Sequence, residues 1–154
     1  MKSCIEMLFA HNLACREPLL QALEQVDSER FLKKAGADKR SIRDILIHLM
    51  DIERYWISVL GGLEIERSNS DDLQDIQSIR DVWSRIASNT DEFIRNVTDE
   101  ELHHVKSVRW SEQTVSFTVA KALVHMATHE THHRGFLIGL IRQQGLEPPD
   151  VNML

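Results

Sequence analysis

Apolar residues recur at helical spacing along most of the chain. The first such segment, residues 3 to 26, carries Ile5, Leu8, Leu19, Leu20, Leu23 and Val26. Pro18 falls inside it, and a proline in a helix interior removes a backbone hydrogen bond, so a kink or short break is expected there. A polar turn from Asp27 to Lys39 follows. Ser41 and Asp44 have the spacing of a capping box, and the stripe Ile42, Ile45, Leu49, Ile52, Trp56, Val59 then continues to Gly61-Gly62. A third helix is expected from the acidic cap Ser70-Asp71-Asp72 to about Val97, carrying Leu73, Ile76, Ile79, Val82, Trp83, Ile86, Phe93 and Ile94. Residues 103–117 alternate loosely and include β-branched residues, which predicts an extended crossover or short hairpin. A cap at Ser116 or Thr118 opens the last helix, which runs to Gln144 and is stopped by Gly145 and Pro148-Pro149. The pattern is all-α: a four-helix bundle with a short extended or hairpin-like crossover before the last helix, in a single domain over residues 1–154.

The last helix breaks its own pattern. Projected at about 100° per residue with Met126 at 0°, Val119, Ala122, Leu123, Leu137, Leu140 and Ile141 fill an arc from about −40° to +60°. His133 at about −20° and Glu130 at about +40° fall within that arc, and His129 at about −60° lies beside it. His125 and His132, at about −100° and −120°, lie off the stripe and read as surface or supporting groups, and Arg134 at about +80° reads as solvating the bundle edge or anchoring an anion. Buried imidazoles and carboxylates need partners. His129 and His133 are one turn apart, about 6 Å between Cα atoms, a spacing at which two imidazoles converge on one ion. On the second helix, with Ile45 at 0°, His48 sits at about −60°, the edge of the buried arc, where it supplies a third nitrogen. Three imidazoles leave coordination positions open, which is the pattern of a catalytic rather than a structural metal site. A hydrogen-bonded core histidine is the competing reading of His48 alone, and a salt bridge to a neighbouring helix is the competing reading of Glu130.

Composition narrows the function. Eighteen Lys and Arg against 24 Asp and Glu give a formal charge of −6, with no basic stripe of the kind nucleic acid requires. No apolar run reaches the roughly 18 residues of a membrane span, and the N-terminal MKSCIEMLFAHNLACREP develops no signal-peptide core, so a cytoplasmic protein is expected. Cys4 and Cys15, about 16 Å apart on one helix, are beyond disulfide reach and are expected to be reduced and packed. Residues 129–133 spell H-E-x-x-H. The longer metzincin pattern fails at Phe136 and Gly139, and only Glu147 and Asp150 follow as acids, so a zincin protease is not supported.

The segment D-I-L-I-H-L-M-D-I-E-R-Y-W at 44–56, paired with H-M-A-T-H-E-T-H-H-R-G at 125–135, an L-I-R-Q-Q-G helix end and a Pro-Pro tail, resembles the DinB/YfiT-like superfamily of metalloenzymes. The resemblance spans nearly the whole chain, from the first helix with Asn12 to the H-x-x-x-H-R-G helix. It implies a divalent ion, zinc or nickel, held by His48, His129 and His133. It also implies, in some relatives, S-transferase chemistry with a low-molecular-weight thiol, and commonly a homodimer. Phe136 stands where relatives often carry glutamine after H-R-G. The expected function is that of a metal-dependent S-transferase or hydrolase acting on a small molecule, with Glu130 orienting a ligand or serving as a general base. The alternatives are a non-enzymatic metal- or ligand-binding bundle for sensing or storage, and a dimerising structural bundle.

Overall fold

The computed structural model describes residues 1–34 and 40–153. Four long helices, α1 (Lys2–Leu23), α3 (Ile42–Gly61), α4 (Ile76–Asn96) and α5 (Val119–Gln143), form the bundle, with a short α2 (Ser28–Leu32) after the first. Both α1 and α3 pack on α4 and on α5, so the order around the bundle is α1, α5, α3, α4. The groove between α3 and α5 therefore lies opposite the groove between α1 and α4. Before α5, β1 (Val105–Trp110) and β2 (Gln113–Thr118) pair antiparallel as the expected hairpin, with Val105 opposite Thr118 and Trp110 opposite Gln113. Its two-residue turn places Ser111 at φ 55°.

Several boundaries differ from the sequence reading for local reasons. The first helix ends at Leu23 rather than Val26 and runs unbroken across Pro18, which has no amide to offer the Ala14 carbonyl. Part of the expected polar turn is helical: Asp27 accepts from the Arg30 amide and opens α2, which buries Phe31. Residues 35–39 of that turn lie outside the described residues. Ser70–Asp72 form only a 3-10 turn, and α4 starts later because Asp75 and Ser78 complete a capping box. Of the two caps considered for the last helix, Thr118 is the one that accepts, from the Lys121 amide.

The Ser41–Asp44 box is present in full and α3 closes at Gly62, whose φ of 68° is in the left-handed region. Burial pushes the Asp44 carboxyl up, but the hydrogen bonds of Ser41 and the charges of Arg43 and Lys34 hold it below its usual 3.8. The stabilisation is complete above that unfolded-state value and is lost as pH falls through the lower folded value. Asp44→Asn should therefore lower stability at neutral pH by about 0.5 kcal/mol. In urea titrations its midpoint should converge with that of the parent protein at acid pH.

The apolar interior is in two parts. One gathers Leu19, Leu20 and Leu23 with Ile45, Leu46, Met50, Ile79, Trp83, Leu137 and Ile141. The other gathers Ile5, Trp56, Ile57, Leu60, Ile94, Phe117, Leu123 and Met126. Between them each long helix contributes buried polar groups: Asn12 and Arg16, then Glu53, then Thr90, then Arg134 beside the half-buried Glu130. The bundle thus has a polar waist.

Candidate metal centre

His48 on α3 and His129 and His133 on α5 stand at that waist, in the α3/α5 groove. Helical spacing sets the two α5 rings side by side, with centroids 4.5 Å apart and planes tilted by 59°, and His48 meets them edge-on at 5.0 and 5.1 Å. One ring nitrogen from each of the three lies within 4.8 Å of the others, so all three sequence candidates are brought together. Two nitrogens bound at about 2.0–2.1 Å in tetrahedral geometry lie about 3.3–3.4 Å apart. The Nε2 atoms of His48 and His129 are 3.3 Å apart. The donor spacing and chemistry fit a divalent cation.

Burial and neighbouring charges keep the His48 and His129 rings neutral. Burial lowers the pKa of His129, and the neighbouring His133, His48, His125 and His132 lower it further, to about 4. Burial and Arg40 lower that of His48 against the opposing pull of Asp51. At neutral pH each of these two rings is therefore neutral and keeps one nitrogen lone pair free of a proton, as cation binding requires.

Glu130 accepts both Arg16 Nε and Arg16 Nη2, at 3.3 and 2.8 Å. Arg16 Nη2 also reaches Glu53 Oε2 at 2.9 Å, and the guanidinium lies 4.1 Å above the Trp83 ring. Glu53 further accepts Trp83 Nε1 and Thr90 Oγ1. Burial opposes the charge of Arg16, but the two carboxylates outweigh it and raise its pKa. Arg134, read from the sequence as an edge or anion-anchoring residue, is instead 3% exposed and donates to Asn12 Oδ1 and Thr131 Oγ1. The buried arc of α5 is wider than its apolar stripe, because α1 covers the helix on that side.

The remaining candidates divide. His125 and His132 are exposed, with rings 5.8 Å from His129 and 5.2 Å from His133. His11 is half-buried, with Nε2 3.5 Å from Cys15 Sγ, and His103 and His104 are exposed. Cys15 is buried as expected, whereas Cys4 is exposed because it falls on the outer side of α1. Trp56 and Trp83 pack in the interior; Trp110, 47% exposed, donates Nε1 to the Tyr55 hydroxyl at 3.0 Å. A cleft of about 440 Å³ reaches His48, bounded by Tyr55, Asp51, Arg40, Ile65 and Arg67. The larger groove of about 700 Å³ between α3 and α4 is lined by none of the three histidines.

Comparison with known proteins gives a consistent picture. The DinB family profile matches residues 1–154. YizA of Bacillus subtilis strain 168 is 25% identical over 146 residues, covering 95% of this chain and 91% of its own. A DinB-like protein of Bacillus cereus ATCC 10987 superposes with a TM-score of 0.70 at 17% identity, over 94% of this chain and 95% of its own. YfiT of Bacillus subtilis, described as a probable metal-dependent hydrolase with an unusual four-helix bundle topology, gives a TM-score of 0.68 at 17% identity. That match covers 93% of this chain and 86% of YfiT. Among the described residues no helix is long and apolar enough to cross a membrane.

Proposed function

The chain belongs to the DinB family, and from that premise we propose that it is a divalent-metal-dependent enzyme acting on a small molecule, with zinc or nickel held by His48, His129 and His133. The observation that carries this reading is the convergence of three imidazoles from two helices. When bound, such an ion stabilises the deprotonated form of a thiol or water that reaches it at neutral pH. The 440 Å³ cleft beside His48 is large enough for a small-molecule substrate and lies within the usual size of ligand sites. His48 and His129 remain unprotonated through burial, and the waist fixes the helices that carry the three rings.

The disposition of Glu130 bears on the choice of nucleophile. Each of its oxygens accepts from Arg16, so protonating it costs the charge pairing with that guanidinium. A low-molecular-weight thiol, acidic enough to ionise at the ion without a carboxylate base, therefore suits this site better than water, and S-transfer is preferred over hydrolysis. The same observation gives the second reading, a non-enzymatic metal-binding bundle, its support.

The test uses protein purified without a histidine tag. Elemental analysis should find about one zinc or nickel per chain, removed by a chelator. The loaded protein should conjugate a small electrophile with a low-molecular-weight thiol faster than the chelated protein does. One ion without turnover would leave the non-enzymatic reading, and no ion at all would end both.

A further inference from the structure

On the face of the bundle opposite the triad, α1 and α4 enclose a cleft of about 320 Å³, walled by Phe9, Leu13 and Ile94 and floored by Arg16, Glu53 and Thr90. The three floor residues are 8%, 7% and 3% exposed, so the polar waist ends at the bottom of this opening. We infer that this cleft is a second binding site, for a small uncharged amphiphile with a primary amide head.

The floor is incompletely matched. Arg16 donates through Nε and Nη2, and its Nη1 has no acceptor among the described residues. Nη1 is nevertheless not sealed in the interior, since Arg43 Nε is the buried side-chain atom without a partner among those residues. An almost wholly buried guanidinium with an unsealed, unmatched nitrogen meets the outside through the cleft it lines. A buried donor without an acceptor costs free energy that an incoming oxygen recovers.

The charge count selects the head group. One guanidinium already serves two carboxylates, so a third carboxylate meets net negative charge. An ammonium group would offset that net charge, but at Nη1 it meets a like charge and brings no acceptor for the unmatched donor. A neutral carbonyl oxygen fits Nη1. Glu53 Oε1 accepts from Thr90, and a carboxylate oxygen carries a second lone pair able to take an amide N–H. At the mouth, Arg95 is spent on Asp91 at 2.6 Å and Glu6 faces Lys2 at 3.9 Å. The walls are apolar, and benzene occupies a cavity of only about 150 Å³, so a chain of six carbons is accommodated.

The experiment titrates the full-length, isotope-labelled protein with hexanamide, hexanoate and hexylammonium while backbone amide resonances are followed by NMR. Hexanamide should give saturable shifts at Ala10, Leu13, Ala87 and Thr90, with a Kd at least tenfold below those of the two charged probes. Ala10→Trp, at an exposed position on the rim, should weaken hexanamide at least tenfold and leave zinc stoichiometry unchanged. Absence of saturable shifts up to the solubility of the probe, equal affinity for all three probes, or undiminished binding to Ala10→Trp would overturn the assignment.

Discussion

His129→Ala should abolish tight metal binding while leaving the bundle folded. A four-ligand zinc site is worth about 10–16 kcal/mol, so one imidazole contributes about 3 kcal/mol and its loss raises Kd by about 10². His129 touches both of the other rings, as each member of the triad does, with its Nε2 3.3 Å from that of His48, and it is only half-buried, so truncation leaves no sealed cavity. Competitive chelator titration reads the affinity. A ligand at 100 times its Kd stabilises the native state by about 2.7 kcal/mol, so zinc should raise the melting temperature of the parent protein and not that of His129→Ala. His48→Ala and His133→Ala should behave alike. His125→Ala, one turn away with an exposed ring, should change Kd less than about threefold. Full affinity in His48→Ala would remove α3 from the site.

The triad is legible in the sequence because helical periodicity is a strong constraint at single positions. Once Met126 marks the buried face of α5, His129 and His133 can only stand on or beside it, and their one-turn spacing follows. Caps are legible where two side chains specify them, as at Ser41 and Asp44. Where acids cluster they mislead: Ser70, Asp71 and Asp72 offer a plausible start, but Asp75 with Ser78 makes the reciprocal bonds. The polar waist is hidden for a related reason. Periodicity on α3 marks the residues nearest Ile45, yet Leu46, Met50, Ile57 and Leu60 are also buried because α3 is flanked by both α4 and α5. On that wider arc Glu53, at about +80°, is central. Arg16 and Thr90 carry no comparable mark in sequence, since the Glu53 carboxylate they share lies 37 residues away from each.

Arg16→Met should destabilise the protein by about 3–5 kcal/mol, the cost of leaving a buried ion cluster without its counter-charge. Two carboxylates converge on this guanidinium, and the side chains concerned are between 8% and 13% exposed, so little water can replace it. Trp83 loses the cation above its ring as well. The effect belongs to the imbalance of charge and not to the arginine as such. Arg16→Met combined with Glu53→Gln and Glu130→Gln should therefore recover most of the loss. An uncharged waist carries no unpaired ion, and the side-chain amide that Glu53→Gln introduces can turn its oxygen to Trp83 Nε1 and donate from its nitrogen to Thr90 Oγ1, whose hydroxyl then donates to the Ile86 carbonyl. Urea unfolding of the two variants separates the accounts. If the triple variant is no more stable than Arg16→Met, packing around the guanidinium dominates, and the waist would not act as an electrostatic unit joining α1, α3, α4 and α5.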